Sequence, residues 1–248
     1  MLNIVIPMAG KGSRFKEAGY AFPKPLIDVN GKTMIEVVIN NLRPTCEHKF
    51  IFICQREHFE QYDLHNILKN ATRNNFEVIQ INGITEGAAC TVLTAISHIN
   101  NDDEMIIANS DQFIEKSIDS FVETAHKKTA DGLIMTFKAS HPKWSYARTD
   151  ANGKVLEVAE KKVISDNATV GIYYFKKGSD FVKGAESMIH KNIRSNNEFY
   201  VCPVYNELII DGKDIFIDEI NQEKMHGLGT PEDLKNFLDK LEKGNIKI

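Results

Sequence analysis

Residues 4–29 read IVIPMAGKGSRFKEAGYAFPKPLIDV. The stretch opens on an apolar run, Ile4-Val5-Ile6, of the kind that forms a buried parallel strand. It then breaks into a loop holding Gly10 and Gly12 with Lys11, Ser13 and Arg14, and it sets Lys24 between Pro23 and Pro25. Glycines let a backbone approach a ligand closely and turn its N–H groups inward as an anion-binding nest. Arg14 supplies a bidentate fork and Lys24 a point charge, a pair of tools suited to a polyphosphate. Met8 and Ala9 lead into the loop and are counted with it as nucleotide-binding. Two other phosphate loops are excluded by spacing. A dinucleotide fingerprint needs a third glycine where Phe15 stands, and a Walker A loop needs four residues between glycines that here are separated by one.

Two linked elements, Gly10-Lys11-Gly12-Ser13-Arg14 and Pro23-Lys24-Pro25-Leu26, give the stretch its specificity. Together they resemble the opening of the sugar nucleotidyltransferases, which join a nucleoside triphosphate to a sugar 1-phosphate. The pattern there is a strand, Gly-x-Gly-x-Arg, a short insertion and Pro-Lys-x-Leu. The resemblance implies an α/β fold: a Rossmann-like three-layer α/β/α sandwich with a mainly parallel mixed sheet, the GT-A-like nucleotidyltransferase fold. It also implies Mg²⁺ as cofactor and pyrophosphate as leaving group.

Composition agrees with one soluble globular unit. The chain has 248 residues, 42% hydrophobic and 26% charged, enough for one large core. A net charge of −4 gives no electrostatic footprint for nucleic acid or an anionic membrane, so the bases that matter must be local. Cys46, Cys54, Cys90 and Cys202 lie far apart with no CxxC spacing, which argues against a zinc cluster or disulfide framework. The apolar opening is too short for a signal peptide and no run reaches membrane-span length. A cytoplasmic protein is the expectation.

Strand and helix signals alternate through the first half. Strands are expected at 4–6, 49–54, 76–81, 105–108 and 133–137, with helices at 33–42, 57–70, 87–99 and 118–128. Such alternation predicts a mainly parallel sheet with helices on both faces and a ligand at the strands' carboxyl ends, where Gly10 and Asp111 fall. The second half predicts a hairpin-rich substrate-side region: strands at 146–149, 155–159 and 169–175 with a turn at Asn152-Gly153. Helices at 180–190 and 201–210, strands at 215–218 and 224–228, and a last helix capped by Thr230 with Pro231 in its first turn complete it. One domain spans 1–248, with 1–112 serving the nucleotide and 113–248 the acceptor.

Three further constellations carry chemistry. Asn109-Ser110-Asp111-Gln112 follows a strand, and a carboxylate there can hold Mg²⁺, which takes few protein carboxylates beside substrate phosphates. The resemblance places the metal-binding aspartate at Asp111, with Ser110 beside the nucleotide. Thr85-Glu86-Gly87-Ala88-Ala89 opens a helix, and Gly87 and Ala88 are small enough to leave room for a flat base; Glu86 is the nearest polar side chain. Val158-Ala159-Glu160-Lys161-Lys162 resembles the family's Glu-Lys motif, in which Glu160 would meet sugar hydroxyls and Lys161 the sugar phosphate. Gly171 matches a glycine that admits the sugar.

One departure stands out. Where the family commonly carries Trp-x-Asp-x-Gly-Thr, this chain has Met225-His226-Gly227-Leu228-Gly229-Thr230, so Gly227 replaces the second metal ligand. Water or Asp218 is the alternative; a lone His226 in a strand is ordinarily structural. Arg14, Lys24 and Asp111 are the expected catalytic residues, Arg14 on the leaving pyrophosphate and Lys24 on the α-phosphate. Phosphocholine or another small phosphate is an alternative acceptor. A glycosyltransferase using Asn109-x-Asp111, or a non-catalytic nucleotide sensor, are the competing readings. The partners are an NTP and a small phosphorylated substrate. No hexapeptide-repeat tail, which makes some relatives trimers, is read in the sequence, and a homodimer stays open.

Overall fold

The computed structural model describes residues 1–248. Its first half runs β1 (Leu2–Pro7), α1 (Ser13–Glu17), a 3₁₀ turn (Lys24–Leu26), β2 (Asp28–Val29), β3 (Lys32–Thr33), α2 (Met34–Asn41) and β4 (His48–Gln55). It continues through α3 (Arg56–Gln61), α4 (Leu64–Thr72), β5 (Phe76–Ile81), α5 (Ala88–Leu93), α6 (Ile96–Ile99) and β6 (Glu104–Ala108). The second half begins β7 (Gln112–Ile114), α7 (Ile118–Lys127), β8 (Gly132–Lys138), β9 (Ser145–Thr149), β10 (Val155–Glu160) and β11 (Asn167–Phe175). It ends α8 (Gly178–His190), α9 (Val204–Ile210), β12 (Ile215–Glu219), β13 (Met225–Gly227) and α10 (Pro231–Glu242).

β1 is central to the parallel part of the sheet. Ile4 stands opposite Phe50 of β4 on one side and Ile106 of β6 on the other, and β5 adds to β4 in parallel. Beyond β6 the sheet turns mixed. β11 runs antiparallel to β6 and β8, β12 returns parallel to β8, and the β9–β10 hairpin meets β11 at Ala168. Strand alternation sorts the core into two layers. Ile4, Ile6, Phe50, Phe52, Ile106 and Ala108 pack with Ile35, Val38, Leu68 and Phe121 of α2, α4 and α7. Val5, Ile51, Ile53, Met105 and Ile107 pack with Val92, Phe181, Met188 and Leu208 of α5, α8 and α9 on the other face. The three-layer expectation holds.

Three helices differ from the sequence expectation. The helix expected at 57–70 is two, α3 and α4, because Asp63 takes a left-handed conformation (φ 39°) and its carboxylate accepts from Asn66. The helix expected at 87–99 breaks between α5 and α6, where the Thr94 hydroxyl donates to the Thr91 carbonyl. α9 starts at Val204, because Pro203 caps it. The Asn30-Gly31 turn, with φ 55° and 82°, also builds an unexpected hairpin, β2–β3, that ends in the Thr33–Glu36 capping box of α2.

All four cysteines are free. Burial pushes the Cys54 thiol up to about 12, so it is an inert core group, whereas Cys90 is only half-buried. No helix is long and apolar enough to cross a membrane.

A third, smaller core sits behind the loop that follows β1. Phe15, Ile27, Val29 and Met34 pack on Phe113, Leu228, Leu234 and Phe237, so α10 buttresses the segment carrying Arg14 and Lys24. One flaw in the large sheet is testable. The Thr136 hydroxyl in β8 is fully buried without a hydrogen-bond partner. Thr136→Val keeps the shape and removes the orphan, so it should raise unfolding free energy by about 1 kcal/mol, read from the urea midpoint.

Candidate active site

The loop after β1 is held by backbone. The Met8 N–H donates to Ile53 at 2.9 Å, and Gln55 donates to the carbonyls of both Ala9 and Gly83 at 2.7 Å, tying the loop to the end of β5. The Met8 side chain is buried in the core, so its backbone is what borders the loop. Gly12 adopts φ 60° as it starts α1, which a side chain rarely tolerates. Gly10 has no such need: a Cβ there would meet nothing within 4 Å, so the fold leaves open space above it.

That loop separates two cavities. The first, about 230 Å³, is lined by Gly12, Ser13, Arg14, Phe15, Lys24, Asp111 and Gly229. Within it the Lys24 ammonium donates to Asp111 Oδ2 at 2.9 Å, with side chains 23% and 25% exposed. Asp111 is pinned from behind, because the Leu228 N–H donates to its carbonyl at 2.7 Å. Gly229 makes room for the carboxylate: a Cβ there would lie 2.8 Å from Oδ2. Ser110, its neighbour, is buried and does not line the cavity.

The donor set fits a magnesium ion carried by a polyphosphate. One hard carboxylate faces the cavity beside two cations, leaving the other ligand positions to phosphate oxygens and water. Gly227 lies opposite Gln112 in the β7–β13 pair, and a Cβ there would point at the Asp233 carboxyl, 3.6 Å away. Asp218 is committed to Lys116 at 2.5 Å. His226 is buried with Glu115 on Nε2 and Lys240 on Nδ1, which makes it structural. Neither lines the cavity.

The second cavity, about 370 Å³, is bounded by Ala9, Gly10 and Lys11, by Ile81, Ile84, Thr85, Gly87, Ala88 and Thr91, and by Glu198. Gly87 is required by the fold: it has φ 129°, and a Cβ would come within 2.4 Å of the Phe199 carbonyl oxygen. Phe199 is bonded on both sides, its N–H donating to Glu86 and its carbonyl accepting from Ala89. Glu86 faces away, paired with Arg194, so the polar side chain beside the small residues is Thr85. The Thr85 and Thr91 hydroxyls hydrogen-bond to each other at 2.6 Å, and the one that accepts there donates to the Gly87 carbonyl.

The acceptor candidates gather at the end of β10. Burial pushes the Glu160 carboxyl up despite a hydrogen bond donated by Ser145. Lys161 sits at φ 53°, and its ammonium donates to the Tyr200 hydroxyl while lying 4.7 Å from the centre of that ring. Gly171 is needed for a different reason from the one expected. At φ 92° it packs on loop 109–112, where a Cβ would meet Asn109 Nδ2 at 2.1 Å, and its carbonyl accepts from Asn109 and Gln112.

Sequence reasoning missed Gln55, Thr85, Gly229, Glu198 and Tyr200 as cavity or support residues. Gly229 was visible beside Thr230. Glu198 follows Asn196-Asn197, a pair that signals a tight turn and takes φ 48° and 64°.

Taken together, the fold and the paired cavities define an α/β protein with a cation-lined cleft beside a second cavity walled partly by small residues. The chain belongs to the nucleotidyl transferase family, whose family model matches residues 4–203. It is 24% identical over 249 residues to the bifunctional protein GlmU of Buchnera aphidicola, covering 97% of this chain and 50% of that protein. It is 23% identical over 238 residues to a UTP–glucose-1-phosphate uridylyltransferase of Synechocystis, covering 86% of this chain and 60% of that one. The chain thus spans about half the length of the curated relatives it matches. Among solved structures, a nucleoside-diphosphate-sugar pyrophosphorylase from Vibrio cholerae superposes with TM-score 0.81 at 28% identity, over 95% of this chain and 99% of the other.

Two outcomes follow from the geometry. Gly229→Ala should displace the Asp111 carboxylate and lower turnover by about tenfold or more, with folding little changed in a thermal melt. Glu160 has its folded pKa raised, so its contribution to stability is present at low pH and lost as pH rises through that pKa. Glu160→Gln should therefore melt higher than the parent at neutral pH, with the gap closing as pH falls below the carboxylate range.

Proposed function

We propose that this protein is a Mg²⁺-dependent nucleotidyltransferase that joins an NTP to a sugar 1-phosphate or similar small phosphate and releases pyrophosphate. The observation that carries the reading is the convergence of Lys24, Arg14 and Asp111 in one cleft beside a nucleoside-sized cavity. Residues 1–112 serve mainly the nucleotide and 113–248 mainly the acceptor. The acceptor's phosphate oxygen attacks the α-phosphorus, the bond from that phosphorus to the bridging oxygen breaks, and pyrophosphate leaves with the electron pair. No side chain needs to act as nucleophile, so positioning and charge neutralisation do the work.

Within this reading Arg14 grips the departing phosphates, Lys24 swings from Asp111 to the α-phosphate, and Lys11 offers a further cation. Asp111 would hold the magnesium, which supplies Lewis-acid neutralisation of the phosphates when bound. Glu160 and Lys161 would orient the acceptor. Asn109 weighs against the glycosyltransferase reading, since its side chain packs on Gly171 and does not line the cleft with Asp111. An activated sugar for surface polysaccharide, made in the cytoplasm where NTPs are abundant, is the product class, and a homodimer is the assembly proposed.

The test is pyrophosphate release with Mg²⁺, pairing CTP, UTP, GTP, ATP and dTTP with sugar 1-phosphates, phosphocholine and other small phosphates. One NTP–acceptor pair should react, and Asp111→Ala should lower its rate by about a hundredfold or more. Nucleotide binding with no reaction across the panel would favour the sensor.

A further inference from the structure

The nucleoside cavity has one carboxylate in its wall, and the chemistry above does not use it. Glu198 stands on a tight turn. The Ser195 N–H donates to the Glu198 carbonyl and the Glu198 N–H to the Ser195 carbonyl, across Asn196 and Asn197 in left-handed conformations. Its successor, Phe199, is buried and clamped between Glu86 and Ala89, with the Arg194 guanidinium 4.0 Å from the centre of its ring. The residue is therefore held at the cavity by main-chain bonds. The group acting on its side chain is the Tyr200 phenol, which can donate to one carboxylate lone pair and leave the others to a ligand.

Position narrows what Glu198 can meet. On one side is the wall of Gly87 and Ala88, where a flat base fits. On the other is Tyr200, whose phenol is pushed up by burial and then by the Glu198 carboxylate, and which receives Lys161. With the base at the first and the α-phosphate at Lys24 in the neighbouring cleft, the ribose is left to the cavity that Glu198 lines. A carboxylate only accepts hydrogen bonds. It repels the triphosphate, and the donors on a base edge change from base to base. The ribose 2′- and 3′-hydroxyls are two adjacent donors common to every ribonucleotide.

We propose that Glu198 accepts hydrogen bonds from the ribose hydroxyls and makes this enzyme selective for ribonucleoside over 2′-deoxyribonucleoside triphosphates. The inference rests on the transferase reading and adds the sugar half of its nucleotide specificity. Hydrogen bonds to a charged group are strong enough for a selectivity of about tenfold or more.

The test compares an NTP with its 2′-deoxy counterpart of the same base, by kcat/KM for pyrophosphate release and by calorimetric binding of each nucleotide. The parent should favour the ribonucleotide by about tenfold or more in both readouts, and Glu198→Ala should bring both ratios to near one. Glu198→Gln, which keeps one acceptor oxygen and the side chain's length, should retain part of the preference. Equal use of the two nucleotides by the parent would overturn the proposal. So would a Glu198→Ala variant that loses activity on both equally, or that changes only the acceptor's KM. Ribose-selective binding without turnover would overturn the transferase reading alone, and no nucleotide binding at all would overturn both.

Discussion

Two opposite charges on loops from neighbouring strands, the Lys24 ammonium and the Asp111 carboxylate, meet at 2.9 Å in a cleft open to solvent. A partly exposed ion pair of this kind adds only about 1 kcal/mol or less to folding. The fold nevertheless spends much of its construction on the pair. β1 and β6 lie side by side and deliver their loops to one edge of the sheet. α10 and the small third core support the Lys24 segment from behind, while the Leu228 N–H and the space left by Gly229 fix Asp111. In the proposed reaction each charge would hold the other's place until a phosphate and its cation take over both.

The same economy governs the second cavity. Gly87 is pressed against the Phe199 backbone, so this part of the cavity wall is shaped by the fold itself. Gly10 is the contrast. Nothing in the protein crowds it, so its missing side chain leaves room for something outside the chain. Gly87 is thus required by the fold and Gly10 is not, although both line the same cavity.

Much of this was legible in the sequence, for physical reasons. Apolar runs such as Phe50–Cys54 sit between helices on both faces and read as buried strands, so the parallel half was plain. Gly10, Gly12, Arg14 and Lys24 lie in the one segment between β1 and β2, close enough in sequence for spacing to carry meaning. Asp111 was legible because its segment follows a strand. What failed was local or long-range. Asp63 and Thr94 break helices through side-chain hydrogen bonds that hydrophobic period cannot report. Glu198 and Tyr200 reach the site only because residues 195–200 fold back across the start of α5, a contact with no trace in either segment alone. Gly171 was noticed for a ligand, and its close packing on Asn109 was not visible in the sequence.

A Lys24–Asp111 pair held for function would contribute little to stability. The most direct measurement is a double-mutant cycle with Lys24→Met and Asp111→Asn, scoring each protein by urea unfolding and by single-turnover pyrophosphate release. The account predicts unfolding free energies within about 1 kcal/mol of the parent and turnover losses far from additive, because either change disables the same phosphate-and-metal step. Large stability losses with turnover largely retained would contradict it, and would make the pair a structural tie between two loops.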